Sequence, residues 1–462
     1  MASTRHEIGV ISRLSGPVVL TQLGMMATGV VDTIMVSRLG VAELAASALA
    51  NMWQWTWISA ALGLVMGIDP LISQAHGRGD GPGTALALQR GLLLAVLSSI
   101  PVCVLLAFTR PGLVLLGQEP AIAELAARYN LYKQPTVPCF LIYAALRQYL
   151  QGRTLMAPAT WVMWLGNVVN AVLNWGLIFG NLGMPALGLV GAAIASSIST
   201  LLLVIGLVSW IRIFRLSAGA WRPWDRESFS ARGLLHVARL GVPVGAQIAL
   251  EAWAFSISTL MAGWFGRQWV GSHQIVLNLA ALAFMVPLGI SQGAATRVGN
   301  LIGAGDTLGM RAATKASLLL GGGVMVVSAT AFTALRFELP RLYTDDPEVV
   351  SLAASILPIA AAFQLSDGTQ VVAGGLLRGM GRPDAAAYVN LFGYYVVALP
   401  LAYLFGFVLG HGLVGIWACL AAGLTVVALA LLVWVRRTAL RPLAELRVYT
   451  DLGLERATVA GS

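Results

Sequence analysis

Charge is what this sequence has least of. Only 11% of its 462 residues are Asp, Glu, Lys or Arg, against about 25% in ordinary soluble domains. With 58% apolar residues, that scarcity excludes a disordered chain, a nucleic-acid-binding domain and almost any water-soluble globule. Too much apolar surface would remain after a soluble core was filled. Cysteine is scarce as well. Cys103, Cys139 and Cys419 each lie in an apolar stretch with no CxxC or Cys/His spacing, which argues against a disulfide framework and a zinc site. The signatures of catalysis are missing: there is no Walker P-loop, no GxSxG and no HExxH, and the five histidines lack metal-ligand spacing. Neither enzymatic activity nor a cofactor is therefore expected.

What is present is hydrophobicity, with a mean hydropathy of +0.79. A spanning helix needs about 20 apolar residues. Twelve runs of that kind fit the chain, the first at 12–36, the fourth at 125–150 and the tenth at 350–377. The first run is long enough to span and leads to no small-residue cleavage site, so it reads as an uncleaved first helix. The expected fold is an all-α polytopic membrane protein. Its 51 glycines point to closely packed helices, because small residues let membrane helices approach each other.

Basic residues orient the chain. If both termini are cytoplasmic, twenty-one of the 29 Lys and Arg fall in cytoplasmic segments, the largest group between Arg212 and Arg239. Five lie on the other side: Arg38, Arg110, Arg267, Arg336 and Arg341. Arg128, Lys133 and Arg147 sit in or near the fourth span and are not assigned. This is a strong positive-inside signal. It accounts for the net charge of +9 without an anionic partner.

The sequence also repeats itself. Arg13-Leu14-Ser15-Gly16-Pro17 resembles Arg239-Leu240-Gly241-Val242-Pro243, and His76-Gly77-Arg78-Gly79-Asp80 resembles Ile302-Gly303-Ala304-Gly305-Asp306, both at an offset of 226. Gly40 meets Gly266 and Gly63 meets Gly289 at the same offset. Six spans per repeat is an even number, so both halves cross the membrane in the same sense, as parallel repeats about an axis along the membrane normal. This gives an N-terminal six-helix lobe at 1–213, a cytoplasmic loop at 214–237, a C-terminal six-helix lobe at 238–435 and a cytoplasmic tail at 436–462. Two similar lobes can enclose a cleft and rock about it.

Several features together resemble the multidrug and toxic compound extrusion (MATE) transporters: the two six-helix lobes, the Gly-x-Gly-Asp turn after the second span of each, Val31-Asp32-Thr33 in span 1 and Leu377-Arg378-Gly379-Met380-Gly381-Arg382-Pro383 after span 10. Glu251 in span 7 and Asp367 in span 10 make the chain most similar to the NorM branch. The resemblance implies a secondary-active exporter in the bacterial inner membrane, acting as a monomer.

Three carboxylates lie well inside apolar spans: Asp32, Glu251 and Asp367. A charged Asp at a helix centre costs roughly 2.5–3.5 kcal/mol on insertion scales, so such a residue either bonds to a neighbouring helix or binds a proton or cation. Glu251 and Asp367 lie about 13 and 10 residues from the cytoplasmic ends of their spans, roughly 20 Å and 15 Å deep. Similar depth permits a shared site. The resemblance implies that the two form a cation-coupling site, and a metal site if the ion is Na⁺. Asp32 has possible polar neighbours in Asn170 and Asn174, which are four apart and share one helical face. The resemblance carries both asparagines over as its polar network. Where some family members have a carboxylate near Asn174, this chain has an amide.

Weaker candidates line no recognisable motif. Trp53, Trp55 and Trp57 could stack on planar organic cations or form an interfacial belt, and Trp53 and Trp57 are retained as cleft candidates. Met25, Met261 and Met285 could give an adaptable apolar surface or simply fill the core. Asp69 reads as a capping or turn residue and His273 as a packed polar one.

With no nucleotide site, transport must draw on an ion gradient, a partner ATPase or downhill flow of substrate. The preferred reading is antiport: inward Na⁺ or H⁺ drives export of organic cationic or amphipathic compounds. Carboxylates serve either ion. The alternative is a lipid-linked oligosaccharide flippase of related architecture, which would place several arginines in its cleft.

Overall fold

A computed structural model describes residues 3–448, without the side chain of Arg267. Residues 449–462, which include Arg456 and most of the expected tail, lie outside the described residues.

The described chain is helical and holds no strand. Its first half runs through α1 (Thr4–Ser37), α2 (Val41–Met66), α3 (Ile68–Gly77), α4 (Gly81–Ala107), α5 (Thr109–Leu115), α6 (Pro120–Lys133), α7 (Thr136–Gly152), α8 (Ala157–Phe179) and α9 (Leu189–Ile213). The second half runs through α10 (Ala231–Gly263), α11 (Arg267–Gly303), α12 (Thr307–Ala334), α13 (Glu338–Arg341), α14 (Pro347–Gly379) and α15 (Pro383–Leu391). It then passes through two π-helical segments, Phe392–Ala398 and Leu404–Val408, on either side of α16 (Leu399–Tyr403), and through α17 (Gly412–Ala439) to a short 3-10 turn at Leu443–Leu446.

Eleven helical stretches are long and apolar enough to cross a bilayer. The fourth expected span is the exception. It is split at Gln134–Pro135 into α6 and α7, of 14 and 17 residues. Each is shorter than a span, but together they run from Pro120 to Gly152. The break falls where Pro135 supplies no backbone donor, and charge collects beside it at Arg128, Lys133 and Arg147. The second span is also divided, at Gly67 between α2 and α3. Asp69 is fully buried in the first turn of α3, where its backbone carbonyl accepts from Ser73 Oγ at 2.8 Å.

The repeated Gly-x-Gly-Asp turns have a shared mechanism. Gly79 and Gly305 adopt φ of +75° and +77°, the left-handed conformation open to glycine. The following aspartates then cap the next helices: Asp80 Oδ1 accepts from Gly83 N at 2.8 Å, and Asp306 Oδ1 from Gly309 N at 2.7 Å. A short acceptor at the N-cap satisfies a donor the helix cannot use itself.

Contacts divide the chain into two compact units. Among the described residues, one comprises 3–19 with 246–448, and the other 20–245. The boundaries of these units fall inside α1 and α10, two or three residues beyond Pro17 and Pro243. A proline inside a helix removes a backbone hydrogen bond, so each long helix is weakened next to the point where its packing partners change. In the first unit Glu7 is fully buried and pairs with Arg297 through two contacts of 2.8 and 2.7 Å. The core of that unit is built from α11, α14 and α17, with Trp417 and Phe363 among its largest buried side chains. His273 is packed there too: its Nδ1 accepts from Trp417 Nε1 at 3.1 Å, and its Nε2 lies 3.1 Å from Thr259 Oγ1. Since the indole only donates, Nε2 carries the proton and gives it to Thr259.

Candidate ion and substrate sites

In the second unit, a polar ladder joins α1 to α8. Thr21 bonds Thr160 at 2.9 Å, Asn167 Nδ2 donates to Gly24 O at 2.8 Å, Thr28 donates to Asn167 Oδ1, and Asn174 Nδ2 donates to Asp32 Oδ1 at 2.5 Å. Residue numbers climb together along both helices, so α1 and α8 run parallel, as spans 1 and 5 should. Asn174 Nδ2 also reaches Asn170 Oδ1 at 3.1 Å, and Ser196 Oγ on α9 donates to Asp32 Oδ2 at 3.3 Å. The structure thus brings together Asp32, Asn170 and Asn174, adds Asn167 on the same face of α8, and adds Ser196. Asn174 Oδ1 is buried without a hydrogen-bond partner, which leaves polar capacity beside the carboxylate.

This ladder forms one wall of a cavity of about 330 Å³. That volume is at the lower end of the roughly 300–1,000 Å³ typical of small-molecule sites. Met25 lines it. Of the three clustered tryptophans, Trp55 lines it too, with Phe140 and Tyr143 from α7. Trp53 instead donates from Nε1 to Leu105 O at 3.2 Å and meets Trp57 edge-on at 5.6 Å. A Cβ on Gly112 would lie 2.4 Å from the Trp53 ring, so that indole fills the gap the glycine leaves.

In the first unit, Glu251 on α10 and Asp367 on α14 converge on one side chain. Gln370 Nε2 lies 3.4 Å from Glu251 Oε1, 3.4 Å from Asp367 Oδ1 and 3.5 Å from Tyr394 OH. Asp367, Gln370 and Tyr394 are buried, and Gln370 Oε1 has no partner. Among the described residues no ion pair reaches either carboxylate. Tyr394 comes from the π-helical segment Phe392–Ala398, and wider turns of that kind often mark functional positions. Phe255 meets both Phe363 and Tyr394 edge-on, at 5.9 and 6.2 Å, and forms the apolar side of the site. Met261 is buried in the same core and Met285 is half-buried.

The arrangement offers four oxygen-bearing side chains: two carboxylates, an amide and a phenol. Hard cations take such ligands. Groups of three or more His, Cys, Asp or Glu that could hold a metal are absent among the described residues, so a cation here would rest on two carboxylates and neutral oxygens. Gln370 and Tyr394 were not legible as site residues, although Gln370 is one turn beyond Asp367 and shares its face.

The sequence profile of the MatE family matches residues 17–176 and again 243–404, two copies offset by 226. A probable multidrug resistance protein NorM from Mesorhizobium japonicum is 34% identical over 95% of this chain and 96% of its own length. Multidrug and toxin extrusion protein 2 of Mus musculus is 31% identical over 96% of this chain and 76% of its own. Among solved structures, the eukaryotic MATE transporter AtDTX14 superposes with a TM-score of 0.89 at 24% identity, over 97% of this chain and 99% of that one. The Vibrio cholerae MATE transporter VcmN, in its bent form, superposes at 0.83 with 19% identity, over 97% and 100%. The fold is therefore that of twelve membrane-spanning helices in two lobes, with the α6–α7 pair as the fourth.

Proposed function

The chain belongs to the MatE family of membrane transporters, and we propose that it is a secondary-active exporter. In this reading an inward flow of Na⁺ or H⁺ drives organic cationic or amphipathic compounds out of the cell. The relatives' names support multidrug efflux as the family activity. The observation that carries the coupling reading is the buried constellation of Glu251, Asp367, Gln370 and Tyr394. Two carboxylates share one amide donor, among the described residues no cationic side chain pairs with them, and their repulsion is relieved by one proton or one cation. Na⁺ would find oxygens at Glu251, Asp367, Tyr394 and the free carbonyl of Gln370. A proton would sit on one carboxyl and be shared with the other.

Ion entry changes which arrangement of the lobes is favoured. Expulsion follows when the two arrangements differ in affinity for both ion and substrate. Asp32 with Asn170 and Asn174 is proposed as a second ion-responsive group, at the wall of the substrate cavity. The protein is proposed to work as a monomer in the inner membrane, with both termini cytoplasmic. A flippase for polyanionic headgroups would need several cations in its cleft, whereas the cavity wall carries one lysine against one aspartate. Dye efflux from proteoliposomes under separately imposed Na⁺ and pH gradients tests the proposal. Efflux should follow one of the two gradients, and efflux indifferent to both overturns it.

A further inference from the structure

Asn390 is a polar side chain that neither the ion site nor the packing around it accounts for. It lies in α15, in the same compact unit as Glu251 and Asp367, and is fully buried. Among the described residues neither its Oδ1 nor its Nδ2 has a hydrogen-bond partner. An amide buried in that way is unfavourable, and buried waters bond to groups of this kind. Ala386 lies one turn before Asn390 and Tyr394 one turn after it, on the same face. Tyr394 OH is 3.5 Å from Gln370 Nε2, the donor that the two carboxylates share. A Cβ on Gly374, one turn beyond Gln370 on α14, would lie 3.9 Å from Ala386 Cβ and 3.2 Å from Gln247 Nε2. Asn390 therefore stands between the acid site on one side and the Gly374–Gln247 contact on the other. Gly374 and Ala386 are small and leave room beside it. Gln370 Oε1 has no partner either. Gln247 is half-buried, so the row runs from the buried acids to partly open surface.

The row also has a direction. Gln247 is one turn before Glu251 on α10, Gly374 one turn after Gln370 on α14, and Asn390 one turn before Tyr394. Successive spans alternate in sense, so α10 and α15 cross one way and α14 the other. All three displacements then point to the same membrane face. In the export reading that face is the cytoplasmic one, where the coupling ion must leave.

We propose that Asn390 holds water through which the coupling ion passes between the Glu251–Asp367 site and the cytoplasm, with Gln247 at the outer end. A proton leaving either carboxyl goes to that water and on to the solvent, and the carboxylate stays behind. A departing Na⁺ exchanges carboxylate oxygens for water and the amide oxygen of Asn390. Asn390 is thus a positioning residue: it fixes the water and leaves the acids as they are. The proposal rests on the export reading and adds the ion's route to it.

Hydroxyl-radical labelling reads the water directly. X-rays make radicals from bound water, and mass spectrometry finds the side chain they oxidise. Tyr394 is fully buried, so its oxidation requires water beside it. In purified full-length protein Tyr394 should be labelled. Asn390→Leu keeps the size of the amide without its polar atoms and should suppress the labelling, whereas Asn390→Ser, whose hydroxyl still binds water, should retain it. In proteoliposomes the maximal rate of gradient-driven ethidium efflux should fall by about tenfold in Asn390→Leu, as when one hydrogen bond is lost from a barrier. The ion and ethidium concentrations at half-maximal rate should stay within about threefold of the parent, and Asn390→Ser should keep a near-parental rate. An unlabelled Tyr394 in the parent, unchanged labelling in Asn390→Leu or a normal maximal rate in that variant overturns the proposal. Equal losses in the Leu and Ser variants show a purely structural role and overturn it as well. If Asn390→Leu does not fold, Gln247→Leu decides: it should slow efflux with the same half-maximal concentrations, and a normal rate overturns the proposal. A labelled parent without gradient-driven efflux overturns the export reading itself, and the ion route falls with it.

Discussion

Gly63 lies so close to Gly245 that a Cβ on Gly63 would fall 2.0 Å from the Gly245 Cα. The contact recurs one repeat later. Gly289 stands 226 residues beyond Gly63, Val19 stands 226 before Gly245, and a Cβ on Gly289 would fall 2.4 Å from Val19 Cγ2. One turn on, Gly67 faces Gly241 as Gly293 faces Ser15. The first half of α10 thus packs on α2 as the first half of α1 packs on α11, backbone against backbone. Because each compact unit includes the opening stretch of the other repeat's first helix, these seams hold that stretch in place.

The seams predict a specific sensitivity. Gly63→Ala meets backbone that can yield only if the helix moves, and should destabilise the protein by about 1–3 kcal/mol, the usual cost of overpacking. Gly289→Ala meets partly side chain and should cost less. Thermal unfolding in detergent ranks the two variants, and equal stability to the parent in Gly63→Ala would contradict the seam.

The ion pair between Glu7 and Arg297 fixes the same opening stretch of α1 by charge. Glu7 is fully buried, so Arg297→Met would strand an uncompensated carboxylate, at about 3 kcal/mol. The paired change Glu7→Gln with Arg297→Met should recover much of that loss. A double-mutant cycle on unfolding free energy measures it, and additive costs would show that the pair is not coupled.

Thr154 has a φ of +63°, the left-handed region, at the turn where the second repeat uses Gly381 at +72°. A β-branched residue there is strained by about 1–3 kcal/mol, and the side chain is exposed. Thr154→Gly should raise stability by up to about 1 kcal/mol, after the added freedom of the unfolded chain is subtracted. A lower melting temperature in this variant would refute the strain.

The contrast between Gly381 and Thr154 marks how far the sequence could be read. Motifs that impose backbone geometry were legible: the Gly-x-Gly-Asp turns reappear as helix breaks and caps, and eleven of the twelve apolar runs as helices of spanning length, with the fourth split into α6 and α7. From the residues alone, side-chain partnership across helices was legible only as shared faces and similar depths, as for Asn170 with Asn174 and Glu251 with Asp367. Lys133 and Ser196 come from helices whose rotation hydropathy does not fix, and Tyr394 depends on a π-helical stretch with no simple sequence mark. The repeat did not help either, because the lobes share a backbone but not a site. Met25, at the cavity wall, occupies the position that Glu251 has one repeat later. The unit boundaries inside α1 and α10 were hidden for a similar reason: hydropathy records that a helix is apolar but not which neighbour it meets.

Asp32→Asn should keep the Asn174 and Ser196 contacts sterically possible while removing the charge. Export should slow by at least tenfold, and the melting temperature should stay within a few degrees of the parent. Initial efflux rates and thermal unfolding on one preparation check both. Normal export would move the ion-responsive role away from this group.

Glu251 and Asp367 share the donor Gln370 Nε2, which lies 3.4 Å from each. This geometry separates coupling from substrate binding, because the proposed substrate cavity lies in the other compact unit. Glu251→Gln removes one charge and with it the repulsion that an entering ion relieves. The two lobe arrangements then no longer differ in ion affinity, and a ligand with equal affinity for two states shifts nothing. Gradient-driven efflux should fall by tenfold or more in Glu251→Gln and in Asp367→Asn, while dye affinity changes by less than threefold. Gln370→Leu keeps both charges but removes the shared donor, so it should reduce coupling less than either carboxylate change does. Measuring dye affinity and gradient-driven efflux on the same purified variants separates the two effects. If both single carboxylate variants retain full gradient-driven efflux, coupling belongs to the Asp32 group, and the buried pair serves packing alone.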